Sequence, residues 1–93
     1  MVDFLVHEAD DSVGVIVVEG VQAGQRLHGW IMDSDAEIAV TALGAIPIGH
    51  KLAIRDLGTD ASVMKYGIDI GRTIAPIATG EHLHVHNVKT RRW

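Results

Sequence analysis

The chain has 93 residues, enough for one small domain in which roughly two-thirds of the unfolded surface is buried. Hydrophobic residues make up 47% and aromatics only 4%, so the interior must be built from Val, Ile, Leu and Ala, a composition that favours strands. With no Cys, disulfides, thiolate metal sites and thiol nucleophiles are excluded.

The formal charge of −4 divides unevenly. Residues 1–45 hold eight acids against Arg26, giving −7, whereas residues 46–93 hold seven bases against four acids, giving +3. The acidic total, without bases interleaved with aromatics, argues against nucleic acid. The basic half is where an anion would be drawn. Residues 1–11 carry neither a basic segment nor a long apolar stretch, and the longest apolar run, Val15–Val18, is too short to cross a bilayer. A soluble cytoplasmic protein with no membrane contact is expected.

Short apolar runs punctuated by Gly predict strands at Phe4–His7, Val13–Glu19, Arg26–Met32, Glu37–Thr41, Lys51–Arg55, Ala61–Lys65, Thr73–Ile77 and His82–Val88. No stretch repeats at helical spacing, so the fold class is all-β, a barrel-like or folded-ribbon domain. Turn chemistry stands at Asp33–Asp35 and Asp56–Asp60. Ile46-Pro47-Ile48-Gly49-His50-Lys51-Leu52-Ala53-Ile54 lines up with Ile77-Ala78-Thr79-Gly80-Glu81-His82-Leu83-His84-Val85, and Val21, Gly24 and Leu27 fit a degenerate third copy. Each copy is a turn feeding a strand, with Gly suited to a positive φ. Either duplication or the limited repertoire of turns explains the recurrence.

His82, His84 and His86 alternate with Leu83 and Val85, so an extended strand presents three imidazoles on one face. The outer two α-carbons would then lie about 13 Å apart, too far to share an ion unless the strand bends. A solvated polar face is the competing view. His50-Lys51 follows a tight turn, and Lys65-Tyr66-Gly67 offers a second cation and a phenol, each able to meet an anion. His7 and His28 stand alone and are read as structural. Trp30 is expected to pack, and Trp93 either docks onto a partner or belongs to a frayed tail. No complete catalytic set is visible.

The segments Ile46–Lys51, Lys65–Gly67, Ile70–Arg72 and Gly80–Asn87 stand in the order and spacing of the N-terminal domain of altronate and galactarate dehydratases, which this chain resembles. The likeness extends through Phe4–Glu8, Gly29–Asp33 and Asn87–Trp93 when the group's sulfolactate sulfo-lyases are included. One departure is Gly58-Thr59-Asp60-Ala61, which lacks a glycine that relatives often have before the Lys-Tyr-Gly strand. The resemblance implies a SAF-like (antifreeze-like) β-clip, short strands joined by Gly turns, over residues 1–93. It implies a small subunit completing the active site of a large catalytic (beta) subunit in a hetero-oligomeric lyase. The reaction class implied is β-elimination from a small anionic substrate, opened by removal of the proton α to a carboxylate. His84 and His86 are then expected to be catalytic, with His50, Lys51, Lys65, Tyr66, His82 and Asn87 holding substrate. A divalent metal, iron first, is expected, mostly held by the large subunit. The alternatives are the small subunit of a sugar-acid dehydratase and a non-catalytic binding module for anions or sugar acids.

Overall fold

A computed structural model describes residues 2–84 and 86–90. Among the described residues nine strands follow one another: β1 (Phe4–Val6), β2 (Val13–Ile16), β3 (Arg26–Ile31), β4 (Ala36–Thr41), β5 (Lys51–Ala53), β6 (Ser62–Lys65), β7 (Ile68–Thr73), β8 (His82–Leu83) and β9 (Val88–Thr90). No helix occurs among the described residues, as an interior of branched aliphatic residues leads one to expect. Six strands form one sheet in the order β4-β3-β1-β2-β5-β8, and three form a second, β6-β7-β9. Only β1 and β3 run parallel; the other named pairs are antiparallel.

Strand alternation creates two cores. In β3, Leu27, Gly29 and Ile31 face inward while Arg26 and His28 face out. Together with Phe4, Val6, Ile16, Val21 and Leu52 they close the larger core. Phe4 is fully buried, and its ring occupies the space where a Cβ on Gly29 would stand. Neighbouring residues on one strand then serve opposite faces. Leu52 enters the larger core, and Ala53 joins Val13, Val63, Ile77 and Leu83 in the smaller one, over which the β6–β7 hairpin is folded.

The repeat is more extensive than the sequence suggested. The turns after Val21, Ile46, Leu57 and Ile77 share one pattern: a bridging apolar residue, a tight turn and then a strand. Val21 bridges Ile46, and Leu57 bridges Ile77, so the turns associate in two pairs. Gly24, Gly49 and Gly80 take φ of 84, 85 and 92°. In the remaining copy Asp60 takes φ 59°, tolerable because Asp reaches the left-handed region more readily than most residues with a Cβ.

Several expected strands move or shorten. The strand expected at Thr73–Ile77 lies instead at Ile68–Thr73, because the two-residue turn Tyr66–Gly67 brings Ile68 opposite Lys65. Ile74 is left exposed and Ile77 goes to its bridge with Leu57. The strands from Val13 and Lys51 stop at Ile16 and Ala53, where the paired turns take over. The strand expected at His82–Val88 ends at Leu83 and resumes only at Val88. Its Val85, and Trp93 at the chain end, lie outside the described residues.

Candidate active site

The His-rich segment bends because Asn87 holds it. The Asn87 side chain is 6% exposed; its Oδ1 accepts the His84 N–H at 3.0 Å, and its Nδ2 donates to the His82 carbonyl at 2.8 Å and to Glu81 Oε2 at 3.2 Å. The His84 carbonyl in turn accepts the backbone N–H groups of Asn87 and Val88. Asn87, expected to touch substrate, is thus committed to shaping the turn. The sequence could not distinguish these roles, since an amide suits either.

Once bent, the segment gathers imidazoles instead of spreading them. β5 pairs with β8 so that Lys51 is opposite Leu83 and Leu52 opposite His82, which brings His50 alongside. His50 and His84 stack with centroids 4.2 Å apart, and His82 and His86 are tilted at 5.0 Å. One ring nitrogen from each of His50, His82 and His84 falls within 4.8 Å of the others. His86 touches the cluster from outside that donor group and is exposed.

Electrostatics favour neutral rings and bound anions. Burial lowers the pKa of His82, and the charges of His86, His50 and His84 lower it further. His84 faces solvent, yet lost hydration is also the leading cause of its lowered pKa, followed by His50, Lys51 and His86. Burial likewise lowers the Lys51 pKa, with the Lys65 charge adding to it. The Lys51–Lys65 pair thus lies beside a cluster whose rings favour the neutral form.

Lys51 lies opposite Val15 in the sheet register, and Val15 lines an adjoining groove of about 350 Å³. Leu5, Val17 and Met32 contribute to its lining, as do Lys65, Tyr66 and His7. The His7 and Tyr66 rings lie 4.1 Å apart and the Lys65 Nζ sits 5.1 Å from the Tyr66 ring centre. His7, read as structural from sequence, thus belongs beside Lys65 and Tyr66. Asp11 was not singled out at all; it is buried under this corner and accepts N–H groups from Glu8, Tyr66 and Gly67. The available signal was an Asp two residues before a buried strand, which is too common to be specific.

Three imidazole donors suit a divalent transition metal. Bonds of about 2.1 Å place two ligands of one ion at most about 4.2 Å apart, so with the donors within 4.8 Å of one another any pair beyond that limit must close up to share one ion. Such a centre beside two lysines can bind and polarise a small carboxylate. This all-β scaffold and its Gly-turn units belong to a recognised class: the chain matches the family described as the altronate/galactarate dehydratase SAF domain over residues 2–91, and it is a member of that family.

Within it, the chain is 63% identical over 92 residues to the (2R)-sulfolactate sulfo-lyase subunit alpha of Chromohalobacter salexigens, covering 99% of this chain and 98% of the relative. It is 40% identical over 63 residues to the protein of the same description from Paracoccus pantotrophus, covering 68% and 94%. The altronate dehydratase of Bacillus subtilis is 33% identical over 85 residues, which are 91% of this chain but 16% of that protein. The full-length correspondence is therefore with the sulfo-lyase subunits. No helix among the described residues is long and apolar enough to cross a membrane.

Proposed function

We infer that this chain is the small subunit of a (2R)-sulfolactate sulfo-lyase and that its histidine cluster completes an active site shared with a larger partner subunit. The observation that carries the reading is the convergence of His50, His82 and His84 beside Lys51, in a chain that matches sulfo-lyase alpha subunits along nearly their full length. The described residues offer ligands and cations but no acid–base pair arranged around a reacting carbon, so the partner is assigned the base.

The reaction is a β-elimination. Removing the proton α to the carboxylate leaves an electron pair that forms the C=C bond as the C–S bond breaks and sulfite departs with its electrons. The enol that remains takes up a proton at its methylene carbon and releases the one on its hydroxyl to become pyruvate. Lys51 and Lys65 bind the doubly charged substrate by charge-assisted hydrogen bonds, and Tyr66 adds a phenolic donor. His50, His82 and His84 would hold a divalent metal, for which iron is the first candidate. Such an ion would supply Lewis acidity toward the substrate's oxygens. His84 and His86, on the exposed side, face the space in which substrate and partner meet.

The test is co-expression with a sulfo-lyase large subunit, followed by assays of sulfite release from (2R)-3-sulfolactate and of dehydration of altronate and galactarate. A stable complex that releases sulfite supports the assignment. Dehydration without sulfite release would transfer the chain to the sugar-acid branch, and absence of both complex and activity would overturn the reading.

A further inference from the structure

Tyr66 adopts a conformation its side chain does not favour. It occupies the first of two central positions in the β6–β7 turn, between the paired Lys65 and Ile68, with φ 58° for Tyr66 and 69° for Gly67. Two left-handed residues in succession are the geometry that Asn-Gly or Gly-Gly adopts readily. Gly67 suits its position, where a Cβ would collide with the Glu8 carboxylate. Tyr66 does not suit its own, and it gains little from the core, being 50% exposed.

Such a conformation persists only where the surroundings dictate it. Here Asp11 does so: its Oδ2 accepts the Tyr66 N–H at 2.9 Å and the Glu8 N–H at 3.1 Å, and its Oδ1 accepts the Gly67 N–H at 3.0 Å. The carboxylate is fully buried. The adjacent Ser12 fastens the same hairpin from its other side, with its N–H donating to the Met64 carbonyl at 2.8 Å and its Oγ accepting the Met64 N–H at 3.0 Å. The turn is thus clamped to the main sheet by two buried residues more than fifty positions earlier. The clamp sets an exposed phenol against His7 and beside the Lys65 ammonium, at the edge of the groove that adjoins Lys51.

We propose that Asp11 is a positioning residue for the elimination, holding the strained turn so that Tyr66 and Lys65 together meet one anionic group of the substrate. This rests on the reading given under Proposed function. Asp11 touches no substrate; its contribution passes through the Tyr66 and Gly67 backbone.

The experiment uses the two-subunit complex and three variants, with sulfite-release kinetics and hydrogen exchange over residues 64–68 as readouts. Tyr66→Asn removes the ring while supplying a residue that accepts the left-handed conformation. Its KM for sulfolactate is expected to rise roughly tenfold, with kcat altered less than about threefold and exchange no faster than in the wild type. Asp11→Asn replaces one acceptor oxygen by a donor and should raise KM to a similar extent with faster exchange at Tyr66 and Gly67. Combining the two should raise KM no further than Tyr66→Asn alone. An active wild-type complex whose Tyr66→Asn variant keeps an unchanged KM overturns the inference by itself. A wild-type complex without sulfite release overturns the functional reading and this inference with it.

Discussion

The Nδ1 of His50 and the Nε2 of His82 lie 2.8 Å apart across a separation of 32 residues. At that distance one ring nitrogen carries a proton and the other accepts it. His82 opens β8 and His50 stands immediately before β5, so the geometry of the pair depends on the β5–β8 register.

Removing a donor from this group should abolish function without dissolving the fold. His50→Ala and His84→Ala are expected to lower turnover of the two-subunit complex by about 100-fold or more and to lower bound metal in parallel, measured by elemental analysis of the purified complex. His86→Ala, outside the donor group, should retain metal. Size-exclusion chromatography should show all three assembled; wild-type rates in His50→Ala and His84→Ala would return the cluster to an inert polar surface.

Asn87→Ala tests the bend itself. The substitution strips partners from the His84 N–H, the His82 carbonyl and Glu81 in a nearly solvent-free position. A cost of about 2–3 kcal/mol is expected, read from urea unfolding, together with a change in the His82 and His84 imidazole resonances as the rings separate. Unchanged stability and resonances would show that the turn closes without the amide.

The lowered pKa values of His82 and His84 fix the sign of a pH dependence. Relative to the ordinary value of 6.5, the folded state favours the neutral ring, so the unfolded chain takes up protons first as the solution is acidified. The contribution of these rings to stability is complete above pH 6.5 and is lost as pH falls through their folded values. Metal binding, which needs the neutral lone pair, should accordingly fail only below pH 6.5; a calorimetric midpoint at or above that value would contradict the assignment.

Lys51 presents the opposite balance of stability against function. Partial burial and the Lys65 charge both act against its ammonium, so Lys51→Met, which keeps an unbranched stem of similar length, should raise the thermal midpoint of unfolding. The same change should raise KM for the dianion roughly tenfold by removing one charge-assisted contact. A variant that gains stability and keeps its KM would remove Lys51 from the substrate site.

Local pattern made much of the fold legible. Alternation in Arg26–Ile31 marked a half-buried strand, and Gly24, Gly49 and Gly80 marked turns that do require positive φ. The residue types of the site were legible for the same reason, since His50, Lys51 and His82 each flank a repeated turn. Their proximity was not. It follows from Lys51 pairing with Leu83, a long-range register that no local window contains, and from an Asn87 side chain that outcompetes strand continuation. Asp11 was hidden more completely, because both turn amides it binds lie more than fifty residues downstream.

The four matched turns have a consequence for how new chemistry can arise on this framework. The position after each left-handed residue carries Gln25, His50, Ala61 or Glu81, and the next carries Arg26, Lys51, Ser62 or His82. An amide, an imidazole, a methyl group and a carboxylate all occupy one backbone shape, although Gln25 and Glu81 also cap their turns by accepting the N–H groups of Gln22 and Ala78. The shared shape lets reactive groups be exchanged by single codon changes at the His50 and Ala61 turns while the supporting architecture stays intact, which makes a protein of this kind a ready starting point for engineered catalysts.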